Sequence, residues 1–278
     1  REDVWIKFFE RKGNLTVGFG SPGRIGPELQ FGHVVGDHYE EQVLLIKAAW
    51  GGRSLFRDFR PSSAGPPPEK HLELELDEAR KTAPETDLTE IQARYGASYR
   101  AMLEEIRGTL DHLQEHFPDY QDSQGCEIAG LVWFQGWNDM INDEYTAAYA
   151  ENLGHFIRDF RRDLGIPDLP VVVAQMGVDG VDRPGLEPDS KKRAFKEAQA
   201  SVGTLPEFQG NVSVIPTDIH WDMNADAVYR KGWREHREEW DRVGSDYPYH
   251  YLGSVITYSR IGEAMAKAVI ELEVRRGS

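Results

Sequence analysis

The stretch AGLVWFQGWNDMINDEY, Ala129–Tyr145, decides how the rest of the chain reads. Its first half is a β-rich apolar run, the pattern of a strand buried on both faces of a sheet. The run stops at Gly136, and Gln135, Asn138 and Asp139 follow one another around that stop. In an open α/β sheet, ligands bind beyond the carboxyl ends of the strands. Amide and carboxyl groups planted there read either as site residues or as turn chemistry, since Asn and Asp also shape loops through local hydrogen bonds.

Three other segments read the same way. QVLLIKAAW (Gln42–Trp50) ends in Gly51-Gly52, LPVVVAQMG (Leu169–Gly177) carries Gln175 near its end, and NVSVIPTDI (Asn211–Ile219) follows. With IAGLVWFQG (Ile128–Gly136) they predict four parallel strands, flanked by Gly, Pro and Asn. Apolar residues spaced by three and four predict helices over Tyr95–His116, Glu144–Leu164, Lys191–Leu205 and Ser259–Glu273. Strands alternating with helices imply a doubly wound α/β sheet. The chain reads as one domain over 1–278, with a surface insertion at about 64–90 that opens on Pro66-Pro67-Pro68.

The net charge is −15, from 47 acidic and 32 basic residues, which makes phosphate backbones and anionic lipid poor partners. Neither nucleic acid nor membrane is expected as a partner. The single cysteine, Cys126, excludes an intrachain disulfide framework and a multi-cysteine zinc site. No glycine-rich phosphate loop joins a strand to a helix, which argues against a nucleotide binder.

Within this frame a few residues carry chemistry. Gly51 and Gly52 let the backbone approach a ligand and aim an N–H at it, although glycine is also the default turn residue. Gln135 and Asn138 offer side-chain amides. His250, in GSDYPYHYLGS, has Asp246 four residues upstream, and a carboxylate beside an imidazole fixes its tautomer. Trp137, Trp221 and Tyr249 offer aromatic faces on which a ligand ring could stack, and Asp139 a ligand-facing carboxylate. His220 and Asp222 are further candidates for site lining or weak metal ligation.

Taken together, IGPELQFG, VLLIKAAWGGRSL, IAGLVWFQGWND and YHYLGS followed by IGEAMAKA, in that order, resemble the SGNH-type hydrolases. The closer resemblance is to the sialate O-acetylesterase-like carbohydrate esterases, and it runs over nearly the whole chain. It implies a flavodoxin-like three-layer α/β/α fold with a mainly parallel sheet. It also implies a serine-type acyl hydrolase that removes acetyl groups from sugars without an organic cofactor or a metal, with an acetylated carbohydrate as partner and an exported location. Carried over, His250 is the base and Asp246 its acidic partner. Gly51 or Gly52 supplies a backbone donor to an oxyanion hole, and Gln135 or Asn138 a side-chain donor.

Two departures stand out. The family's acidic residue lies three before the histidine, where this chain has Tyr247, and Asp246 is one further upstream. The family's GQSN or GDS block, which bears the nucleophilic serine on the first strand, has no counterpart. Ser21 and Ser54 read as loop residues. The expectation is therefore a chain without the first strand, beginning at Arg1 through truncation or processing, and inactive as it stands. A non-catalytic carbohydrate-binding member of the same fold is the alternative.

Overall fold

The computed structural model describes residues 1–182 and 189–277. The chain opens with an antiparallel hairpin, β1 (Val4–Phe8) and β2 (Arg11–Asn14), then α1 (Glu28–His38) and β3 (Val43–Ile46). Helices α2 (Glu69–Arg80), α3 (Leu88–Arg94), α4 (Ala97–Asp111) and the short α5 (Leu113–His116) come next. Then follow β4 (Leu131–Trp133), α6 (Trp137–Met140), α7 (Asp143–Leu164), β5 (Val171–Gln175), α8 (Ser190–Val202) and β6 (Val212–Pro216). The chain closes with α9 (Met223–Arg230), α10 (Arg237–Val243) and α11 (Val255–Arg276).

The predicted strands are all present, each shorter than its apolar run. β3 runs parallel to β1, and β4, β5 and β6 are parallel to one another. The strands form two three-stranded halves, β2-β1-β3 and β4-β5-β6, and among the described residues no backbone pairing joins β3 to β4. That gap is where the expected missing strand would lie. Burial agrees with it: all of β3 and the first two residues of β4 are partly exposed, whereas Val171–Ala174 of β5 are buried.

β5 shows why the architecture is three-layered. Val172 packs on Ala268, Val269 and Leu272 of α11, while Val171 and Val173 join the cluster of Leu153, Phe156 and Phe160 on α7. Successive side chains of a strand face opposite ways, so an all-valine run needs a helix on each side. α7 is well specified locally. Asn142 accepts from the N–H groups of Glu144 and Tyr145 at its start, acidic residues fill its first turn, arginines its last, and Gly165 closes it at φ 72°.

The hairpin is the element the sequence reading missed. Its register pairs Phe8 with Arg11, leaving Phe9-Glu10 as the two-residue turn, and Phe9 adopts φ 53°. Two-residue hairpin turns normally announce themselves with Gly or Asn at the positive-φ position. Here a phenylalanine holds it, and the signal is absent. The expected surface insertion carries α2 and α3, which close over a small core of their own from Leu72, Ile91 and Tyr95. No helix among the described residues is long and apolar enough to cross a membrane.

Candidate functional site

Beyond the carboxyl ends of β3, β4 and β5 lies a cleft of about 290 Å³. Gly52 and Arg53 line it from the loop after β3, Gln135, Trp137 and Asn138 from the segment after β4, and Tyr249 and His250 from the loop before α11. The segments singled out in the sequence therefore meet.

Two buried carboxylates hold the glycine loop in place. Asp58 accepts from the N–H and the hydroxyl of Ser54 at 2.9 and 3.3 Å. Asp139, fully buried, accepts from the N–H groups of Leu55 and Phe56 at 2.8 and 3.0 Å and from Gln135 Nε2 at 2.7 Å. Burial raises the Asp139 carboxyl to about 6 against the pull of those donors. Asp139 thus ties the loop after β3 to the segment after β4, and it does not face the cleft as the sequence reading expected. α6 explains the difference from its neighbour, because one residue along a helix turns the side chain by about 100°. Asn138 lines the cleft and Asp139 the core.

The geometry also separates Gln135 from Asn138. Gln135 Nε2 already donates to Arg53 O at 3.0 Å and to Asp139, and its Oε1 accepts from Tyr149 OH at 3.1 Å. Among the described residues the Asn138 amide makes no hydrogen bond, and neither do the N–H groups of Gly51 and Gly52. Gly52 has φ 69°, a left-handed conformation that favours glycine, and a Cβ there would lie 3.9 Å from Asn138 Nδ2. A backbone donor and an amide donor thus stand side by side at the cleft.

His250 Nδ1 lies 3.1 Å from Asp246 Oδ2, both side chains about half-exposed. The acidic partner displaced by one residue in sequence is within hydrogen-bond reach in space. The loop achieves this through an unusual backbone. Tyr251, Leu252 and Gly253 take φ values of 52°, 61° and 58° in succession. For Tyr and Leu this conformation costs about 1–3 kcal/mol each, and a Cβ on Gly253 would fall 2.2 Å from Ser245 Oγ.

Several bonds offset that strain. The N–H groups of Ser245 and Asp246 both donate to Leu252 O, Tyr258 OH donates to His250 O at 2.9 Å, and Tyr251 OH accepts from Gly177 N–H at 3.0 Å. Tyr251, its hydroxyl pushed up to about 12 by burial, is neutral throughout the working range. Nothing in YHYLGS announced this role, since a tyrosine at positive φ leaves no pattern. Tyr251→Phe is expected to lower stability by about 1–3 kcal/mol by orphaning the buried Gly177 N–H. A urea unfolding midpoint unchanged from wild type would contradict it.

Other expected site residues lie elsewhere. Trp221 is 4% exposed and packs beneath Tyr251 with ring centroids 6.0 Å apart, so it supports the loop from the core rather than meeting a ligand. Asp222 caps α9 and accepts from Ser254 Oγ at 2.7 Å. Ser54 is 3% exposed with its hydroxyl engaged by Asp58 and Arg57 N–H, and Ser21 is on an exposed loop. No Ser, Thr or Cys is among the described residues that line the cleft. A larger charged cleft of about 480 Å³ adjoins it through Met176 and Val178, but its lysines and arginines are held in ion pairs with carboxylates.

The chain is similar to known proteins in sequence and in fold. A family described as carbohydrate esterase, sialic acid-specific acetylesterase, matches residues 14–218. Over 54 residues the chain is 32% identical to a probable carbohydrate esterase of Arabidopsis thaliana, a match covering 19% of this chain and 21% of that protein. The match therefore spans about a fifth of that relative's length. A solved Arabidopsis thaliana structure from the same locus superposes with a TM-score of 0.55 at 15% identity, over 97% of this chain and 81% of that one. A carbohydrate acetylesterase from Xanthomonas citri gives 0.54 at 15% identity, over 95% of this chain and 44% of that one. At such identity these two structures speak for the fold.

Proposed function

Since the chain belongs to the carbohydrate esterase family of sialic acid-specific acetylesterases, we propose that its cleft takes an O-acetylated sugar for serine-type removal of the acetyl group. The observation that carries the reading is the meeting of Gly52, Asn138 and the His250–Asp246 pair in one cleft. Each has a place in acyl transfer. A serine hydroxyl attacks the acetyl carbonyl while His250 Nε2 takes its proton, and Asp246 holds Nδ1–H and stabilises the imidazolium. The oxyanion accepts from Gly52 N–H and Asn138 Nδ2, donors worth about 3–4 kcal/mol each in the transition state. The same imidazolium then protonates the departing sugar oxygen, and in the second half-reaction His250 activates water against the acyl-enzyme.

The nucleophile itself is not among the cleft residues. The gap between β3 and β4 supports its arrival on a further parallel strand. Such a strand, paired to both edges, would end between the Gly52 loop and Asn138, in front of His250. That no Ser, Thr or Cys is among the described cleft residues also favours a second reading, a carbohydrate-binding protein without chemistry. A binding experiment tests what the two share. Titration with a mono-O-acetylated methyl glycoside, followed by NMR, is expected to shift the Trp137 indole and His250 imidazole signals. The deacetylated glycoside is expected to bind several-fold more weakly, and Asn138→Ala to erase that preference. Shifts confined to residues away from the cleft would overturn the proposal.

A further inference from the structure

The cleft does not end at Trp137. Its indole meets Tyr249 with ring centroids 5.6 Å apart, and Tyr249 stacks on Tyr247 at 5.5 Å with an interplanar angle of 8°. Tyr247 then meets the edge of Trp233 at 6.2 Å and 87°, where Arg234 and Arg237 cover the indole face and close the row. Tyr247 and Tyr249 are 39% and 42% exposed. Among the described residues neither phenol oxygen makes a hydrogen bond.

We propose that Tyr249 and Tyr247 form sugar subsites running outward from the cleft, so that the ligand is an O-acetylated oligosaccharide of three or more units rather than a single sugar. This rests on the reading of the cleft as an acetyl-sugar site. Two features of the row select the occupant. It is continuous with the cleft through Trp137 and Tyr249, which line both. Between the His250–Asp246 pair and the arginines over Trp233, its rings offer apolar faces that match the C–H faces of pyranose units and phenol hydroxyls that match their hydroxyl groups. A cleft of about 290 Å³ is at the lower limit of small-molecule sites, so most of a longer glycan must lie outside it.

The test compares chain lengths by calorimetry on the 278-residue chain, with mono-O-acetylated xylotetraose and mannotetraose against the corresponding mono-O-acetylated methyl monosaccharides. Two backbones are used because stacking on a ring tolerates either sugar. At least one tetrasaccharide is expected to bind about tenfold more tightly than its monosaccharide, a difference of about 1.4 kcal/mol. Tyr247→Ala is expected to remove that gain and leave monosaccharide affinity within about twofold, whereas Tyr247→Phe, which keeps the ring, retains most of it. Monosaccharides that bind in the cleft with no length gain for either backbone would overturn the subsites and leave the acetyl-sugar site standing. Failure of every saccharide to bind would overturn both. A length gain that survives Tyr247→Ala would also overturn the assignment.

Discussion

The 278-residue chain is expected to hydrolyse p-nitrophenyl acetate no faster than its His250→Ala variant. The proposed base, His250, and the proposed oxyanion donors Gly52 and Asn138 line one cleft, with Asp246 paired to His250, yet no Ser, Thr or Cys is among the described residues that line it. Loss of the serine from such a triad costs about 10⁶ in kcat, because nucleophile and base act as a unit. The two serines weighed in the sequence, Ser21 and Ser54, do not substitute. Ser54 is buried with its hydroxyl bonded to Asp58, and Ser21 is on an outer loop. Supplying a parallel strand between β3 and β4 that ends in Gly-x-Ser is expected to bring turnover, and to protect the half-exposed apolar residues of β3 and β4 from association. A stoichiometric acetyl burst from the 278-residue chain, abolished by Ser21→Ala or Ser54→Ala, would show that a nucleophile was present and that the cleft has been misread.

That expectation could be framed from the sequence because two of its signals are strong. Valine-rich runs mark strands buried on both faces, and the runs end in glycine or amide residues where such sheets place their ligands. The Asp246–His250 pair was legible as well, since four residues of turn-rich sequence bring both side chains to one side of a tight loop. What stayed hidden depends on local geometry without a sequence signature. Phe9 turns a hairpin at a φ usually left to glycine, and Tyr251 and Leu252 hold a left-handed bend. The hydrogen bonds of Tyr251 and Tyr258, with those from Ser245 and Asp246 to Leu252 O, offset the strain of that bend. Gln135 and Asn138 looked equivalent until the buried partners of Gln135 were visible. Trp221 looked like a sugar platform until it proved to lie under the loop it supports.

Asp139 yields the second large effect, one of stability and pH. Its carboxyl is fully buried, and burial raises its pKa to about 6 from an unfolded value near 3.9. The folded chain therefore binds this proton more tightly than the unfolded chain, and stability falls wherever the unfolded state alone has released it. The sign is thus the reverse of the usual carboxylate. The contribution is fully present below about pH 4, fades as pH rises, and is gone once pH has passed about 6. The loss amounts to about 3 kcal/mol for a shift of this size. Carboxylates whose values are lowered by partners, such as Asp159 beside Ser63 and Arg162, act in the opposite direction and at lower pH. For that reason the comparison must be a difference between two proteins. Urea unfolding of wild type and Asp139→Asn at pH 4, 5, 6 and 7 is expected to show a stability difference that shrinks by about 3 kcal/mol over that range. A flat difference would mean that the carboxyl titrates alike in both states. Asp139→Ala goes further. It strips the acceptor from the N–H groups of Leu55 and Phe56 and from Gln135, at an expected cost of about 3–5 kcal/mol. The loop after β3 would then lose its tie to α6, and Gly52 and Asn138, the neighbours on which the proposed oxyanion hole depends, would no longer be held in register. Proteolysis within residues 50–59 should accelerate in this variant, and binding of the acetylated glycoside should weaken with it. If the glycoside bound Asp139→Ala as tightly as wild type, the loop would not need Asp139 to shape the site.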